Sequence, residues 1–186
     1  MKSAIIVSAL SGVCVIGSAA SADFIFDLGT VGPLSNEMNG GVIQEEFTIA
    51  VPASPLGIIG FAFEGVYDET SAASVASDLQ LVITTPGGDS LIVGGQSSPR
   101  DLDWNFQGPI SDAPGFYEHE TNPWSLGEVG SEGVWTLTFT NDWASVDSGA
   151  IRFSDAVFTL IQVPAPGSTA LLAIAAFVGA PLRRRR

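Results

Sequence analysis

The sequence predicts an all-β fold, a jelly-roll-like β-sandwich flanked by an N-terminal signal helix and a C-terminal hydrophobic helix. Three observations predict it. Through the middle of the chain apolar residues alternate with polar ones instead of recurring every three or four positions, which is the pattern of strands with one wet face. Glycine and proline stand between those runs, where turns are needed. The two apolar runs that do not alternate lie at the ends of the 186 residues.

Residues 1–22 open with Lys2, continue through an apolar stretch from Ala4 to Gly17, and end in the small residues Ser18 to Ala22. A stretch this short, with one positive charge before it, is the pattern of a secretory signal. Ala20 and Ala22 then mark the signal peptidase site, with Asp23 as the first mature residue. The competing reading is a buried N-terminal helix. The only cysteine, Cys14, lies inside this segment, and Val13 precedes it where a lipoprotein cysteine needs a small residue. Cleavage therefore leaves a chain without disulfide or thiolate chemistry.

Residues 23–41 read as a lead-in strand and loop, and residues 42–162 as the sandwich. Val42 to Val51 and Gly57 to Tyr67 read as strands, separated by Pro52 and Pro55, which cannot donate to a ladder. Thr70 to Ala76 is a run of small residues with room for one helical turn at most. Leu79, Leu81 and Ile83 share one face of a strand that stops at Pro86-Gly87-Gly88-Asp89, and Leu91 to Val93 return as its partner. In Val134 to Thr140 the residues Trp135, Leu137 and Phe139 point inward and the threonines outward. In the last strand Ile151 and Phe153 hold one parity and Ala156, Phe158 and Leu160 the other, which predicts a β-bulge near Ser154-Asp155. Six to nine strands are expected, with no internal repeat.

The C-terminus, residues 163–186, combines Val163-Pro164-Ala165-Pro166-Gly167, a hydrophobic helix over 168–182, and the cluster Arg183, Arg184, Arg185 and Arg186. Fifteen helical residues fall short of the roughly 30 Å hydrocarbon core unless the arginine stems reach to the interface. Order, length and charge resemble the PEP-CTERM sorting tails of bacterial exported proteins. Ala165 stands where that family usually has glutamate, which is similar to the Pro-Ala-Pro variants of planctomycete-type members. The resemblance implies an exosortase-like enzyme as a processing partner and a precursor held in the cytoplasmic membrane by its tail. The alternative is a permanent short anchor with a basic stop signal on the cytoplasmic side.

A second resemblance covers residues 42 to 162. The run Ser77 to Gly88, then Asp103-Trp104-Asn105-Phe106, then Gly127-Glu128 with Gly133 to Thr138, and finally Asn141-Asp142 with Asp147 to Ile151, resemble in order and spacing the P domain (Homo B domain) of proprotein convertases. Departures are Val66-Tyr67-Asp68 without the usual histidine, Ser77 in place of a glycine, and no clear tryptophan after Ile151. The resemblance implies a jelly-roll sandwich that stabilises a neighbouring protease or stands alone. It brings no catalytic part with it.

All 20 acidic residues lie between Asp23 and Asp155. Removing the two ends leaves Arg100 and Arg152 as the only bases, hence a formal charge of 2 − 20 = −18. Such a surface repels nucleic acid and anionic lipid and favours divalent cations or basic partners. Nucleophilic catalysis needs a base, and the chain has one histidine, His119, in what reads as a solvated loop between Pro114 and Pro123, where Glu118 and Glu120 would raise its pKa. No enzyme is expected. Calcium is the one cofactor considered, through Asp101 and Asp103 or Asp142 and Asp147, although the same residues serve as turn formers. Trp124 and Trp143 read as loop residues able to offer a flat face to a sugar ring. The expected function is an exported or cell-surface, non-enzymatic module with a structural or binding role in the envelope or extracellular matrix. The alternative is a glycan-binding or enzyme-accessory module.

Overall fold

The protein is described by a computed structural model over residues 23–35, 44–69, 75–96, 99–109, 113–142 and 150–163. Residues Asp23–Gln162 form one compact unit. Among the described residues the eight strands are β1 (Phe24–Leu34), β2 (Gln44–Val51), β3 (Ile58–Glu69), β4 (Leu79–Thr84), β5 (Ser90–Gly94), β6 (Gly115–Thr121), β7 (Gly133–Asn141) and β8 (Ile151–Gln162). They build two four-stranded antiparallel sheets, ordered β1-β8-β3-β6 and β2-β7-β4-β5. β4 pairs with β5, β3 with β6, β2 with β7 and β1 with β8, so the chain is one long hairpin folded over on itself.

The innermost hairpin is the part whose turn chemistry is plainest. Pro86 and Gly87 begin the turn and Gly88 takes φ 90°, a conformation that glycine adopts without strain. The Thr85 N–H donates to the Asp89 carbonyl at 2.8 Å, and the Gly88 N–H donates back to the Thr85 carbonyl at 3.0 Å. On either side of it, Leu81, Ile83, Leu91 and Val93 are buried, as alternation predicts.

The core lies between the sheets. Phe61, Phe63 and Tyr67 of β3 and Phe153, Phe158 and Leu160 of β8 meet Leu137 and Phe139 of β7, and all are fully buried. Phe63 and Phe139 touch across the interior, with ring centroids 5.5 Å apart. Each such side chain contributes about 1.5–3 kcal/mol of transfer free energy. Trp135 is buried with them, and its indole N–H, which would be costly to leave unpaired, donates to the Ser131 carbonyl at 3.0 Å.

The expected bulge is present. Val66 pairs with Ser154 and Glu64 with Val157, so β8 carries one residue more than β3 over this interval, and Asp155 adopts φ 50°. The slip turns both Phe153 and Ala156 to the core. Gly65 lies against it, where a methyl group would press on Phe153 and on the Ala156 backbone.

Two expectations change. The lead-in stretch is no appendage: β1 is a full edge strand, paired with β8 from Phe24 opposite Leu160 to Leu34 opposite Ile151. The sandwich therefore begins at β1 and not at residue 42. Its alternation breaks at Gly29 (φ 70°), after which Val31 and Leu34 carry the burial. The stretch Gly115–Thr121, expected as loop, is strand β6. Asp23 closes the unit, since its Oδ1 accepts the N–H of Gln162 at 3.0 Å.

The expected signal helix over 1–22, the hydrophobic helix over 168–182 and the arginine cluster lie outside the described residues. Among the described residues no helix is long and apolar enough to cross a membrane. The helical element there is a single 3-10 turn, Ala76–Asp78.

Candidate functional site

β6 reads Gly-Phe-Tyr-Glu-His-Glu-Thr, and its alternation places Tyr117 and His119 inward and Phe116, Glu118 and Glu120 outward. Its partner β3 sets Glu64 directly opposite Glu118, and Ala62 opposite Glu120. β6 is an edge strand, and its free side is covered by the segment Asp103–Gln107, here called the strap. The Gln107 N–H donates to the Glu118 carbonyl at 2.8 Å and the Glu118 N–H to the Gln107 carbonyl at 3.0 Å. Because both backbone groups of Glu118 turn to the strap, Glu64 and Glu118 form a non-hydrogen-bonded pair across β3 and β6, the kind in which side chains lie closest.

Just before the strap, the chain also covers β5, the edge of the other sheet: the Asp101 and Leu102 N–H groups donate to the Ile92 carbonyl and the Gly94 N–H to the Leu102 carbonyl. One short segment thus protects two edges from pairing with other chains. Trp104 pins its middle, stacking on Phe106 with centroids 4.5 Å apart and donating its indole N–H to the Leu79 carbonyl.

Between β3, β6 and the strap lies a cleft of about 250 Å³. Three carboxylates, Glu64, Glu118 and Glu120, and two carboxamides, Asn105 and Gln107, line it together with Ala62, Phe63 and His119. The two ion pairs among the described residues, Arg100 with Asp103 and Arg152 with Asp68, engage both remaining bases elsewhere. The cleft therefore presents uncompensated negative charge among the described residues.

His119 departs from expectation. It is 5 % exposed, faces inward opposite Phe63, and packs against Trp104, Phe61 and Phe106 at centroid distances of 5.0, 5.6 and 6.2 Å. Its Nδ1 accepts the Asn105 N–H at 3.1 Å, which leaves the proton on Nε2, bonded to Thr121 Oγ1 at 2.9 Å. Burial holds its pKa below the ordinary 6.5. Glu118 and Glu120 do not raise it as expected, because strand alternation sends their carboxylates to the other face.

The remaining candidates are dispersed. Trp124 is 4 % exposed, stacks on Trp135 at 6.0 Å and donates its N–H to the Gly127 carbonyl at 2.6 Å, so its face is closed to a sugar ring. Trp143 and Asp147 lie outside the described residues. Asp101 Oδ2 accepts the Ile92 N–H at 2.8 Å, whereas Asp103 pairs with Arg100 at 2.5 Å, so neighbouring carboxylates serve different partners. Asp142 sits beside Gly95, with its N–H bonded to the Asp78 carbonyl. Among the described residues no group of three or more His, Cys, Asp or Glu side chains is placed to hold a metal ion. Of the processing residues Asp23 is described and serves the fold, Val163 follows β8, and Ala20, Ala22, Pro164, Ala165, Pro166, Gly167 and Arg183 to Arg186 lie outside the described residues.

In the sequence Glu118 and Glu120 stand out only as the residues flanking His119, and nothing there marks Glu64 as their neighbour. That proximity depends on the register of two strands far apart in sequence. No protein-family model, curated protein or solved structure matches this chain.

Proposed function

We propose that the chain is an exported or cell-surface protein whose acidic sandwich is a non-enzymatic module with a structural or binding role, sorted or anchored through its C-terminal tail. The observation that carries the non-enzymatic part is the state of His119. The chain's one histidine is buried and both of its ring nitrogens are already bonded, so it is unavailable as a general base to any nearby hydroxyl. The nesting of β1 with β8, β2 with β7, β3 with β6 and β4 with β5 supports a jelly roll, the fold that the P-domain resemblance implies. Fold alone assigns no activity. An acidic outer surface with few bases favours soluble display and contact with cationic partners.

The test is mass spectrometry of both termini of the protein recovered from fractionated cells that express the full chain. A mature chain starting at Asp23 and ending near Pro166, outside the cytoplasm, is the expected result. An intact Arg186 on an exported chain would convert sorting into permanent anchoring. A cytoplasmic chain retaining Met1 would overturn the proposal.

A further inference from the structure

We infer that His119 is a proton-operated latch, and that proton uptake by its ring releases the strap Asp103–Gln107 from the edge of β6. The geometry is specific. The strap is fastened to β6 by two backbone bonds at Gln107 and by one bond from the Asn105 N–H to Nδ1 of His119. Nδ1 can accept that bond only while it carries no proton. In the imidazolium both nitrogens are donors, so the Asn105 N–H would face another N–H, and an attraction becomes a repulsion inside an aromatic enclosure of Phe61, Trp104 and Phe106.

From β3 the nearest charged group to the ring is Glu64 and from β6 itself Glu118 and Glu120, which line the same cleft with their carboxylates on the outer face. From the strap it is Asp103, which is committed to Arg100. Tyr117, the other titratable inward residue of β6, donates its hydroxyl to the Ala113 carbonyl at 2.6 Å. The enclosure itself is apolar and opposes the charge, in agreement with the lowered pKa of the ring.

The strap yields before the strand does. His119 belongs to a strand laddered to β3 from Thr121 through Gly115, whereas the strap holds β6 by three bonds, its Asp103, Asn105 and Gln107 exposed and only Trp104 and Phe106 packed against the core. Local opening follows the least protected segment. Release bares the backbone edge of β6 at Glu118 and uncovers the stacked rings of Trp104 and Phe106.

The experiment is a pH titration of the full-length chain. His119 is the chain's one histidine, so its ring resonances are unambiguous, and they are followed together with the Asn105 amide, with tryptophan fluorescence and with far-UV circular dichroism. The expected result is one transition below pH 6.5 shared by the ring and the Asn105 amide. The fluorescence should shift to the red over the same range while the dichroism stays constant. His119→Gln, whose side chain stays neutral, should abolish the fluorescence transition, and Trp104→Phe should remove its amplitude. A fluorescence transition that persists in His119→Gln would overturn the inference, as would an Asn105 amide insensitive to the ring's titration. Loss of dichroism over the same range would also overturn it. The ring and amide readouts use the unmutated chain, so they decide the matter even if a variant fails to fold.

Discussion

Glu64 on β3 stands directly opposite Glu118 on β6, at a position where both backbone groups of Glu118 are bonded to Gln107 and not to β3. Like charges so placed work against the sheet. Glu118→Gln is therefore expected to raise stability by about 0.2–1 kcal/mol at low ionic strength, a gain that shrinks in molar salt. Urea midpoints measured at both salt concentrations check it, and a loss of stability at low salt would refute the reading.

The state of His119 makes stability depend on pH in a definite direction. Its folded pKa lies below the unfolded value of 6.5, so between those two values the unfolded chain binds more protons than the folded one. The histidine's contribution is complete above 6.5, is lost as pH falls below it, and levels off under the folded pKa. His119→Gln should flatten this part of the profile, and chemical unfolding from pH 7.5 down to about 5 measures it.

Gly94 and Gly29 share a left-handed backbone, φ 69° and 70°, but differ in surroundings. A methyl group at Gly94 would collide with the Trp104 indole and the Leu79 carbonyl, while one at Gly29 meets nothing within 4 Å. Gly29→Ala should cost about 1 kcal/mol from conformation alone. Gly94→Ala should cost clearly more and should disturb Trp104 fluorescence. Equal losses in the two variants would show that the indole does not depend on that close approach.

At the bulge, Asp155 carries φ 50° in a strand that is otherwise extended. Asp155→Gly should be neutral or slightly stabilising, whereas Asp155→Val should cost about 1–2 kcal/mol because a β-branched residue fits the left-handed region poorly. Thermal unfolding of the two variants checks the order, and equal melting temperatures would count against the bulge.

The bulge is also a measure of how much the amino-acid order discloses. The switch of parity between Phe153 and Ala156 is visible in one dimension, because burial on both sides of it requires one inserted residue. β4, β5 and β7 were equally legible, since their inward residues are aliphatic or aromatic. β6 was not, because its inward partner to Tyr117 is a histidine between two glutamates, a string that looks hydrophilic until the ring is seen to be neutral and enclosed. Trp124 was misplaced for a related reason. Pro123 beside it signals a loop, yet that loop folds back and seats the indole on Trp135. The candidate cleft was the least legible feature, as it joins residues from β3, β6 and the strap whose adjacency is set by strand register and not by spacing.

The bond from Asp23 to Gln162 places the first and last residues of the sandwich side by side. A few added residues would therefore suffice to stitch those ends together, and the chain could be reopened at the exposed Gly87-Gly88 tip. Such a circular permutant should fold to the same sheets, because what joins β1 to β8 is adjacency in space and not the direction from which each strand is threaded.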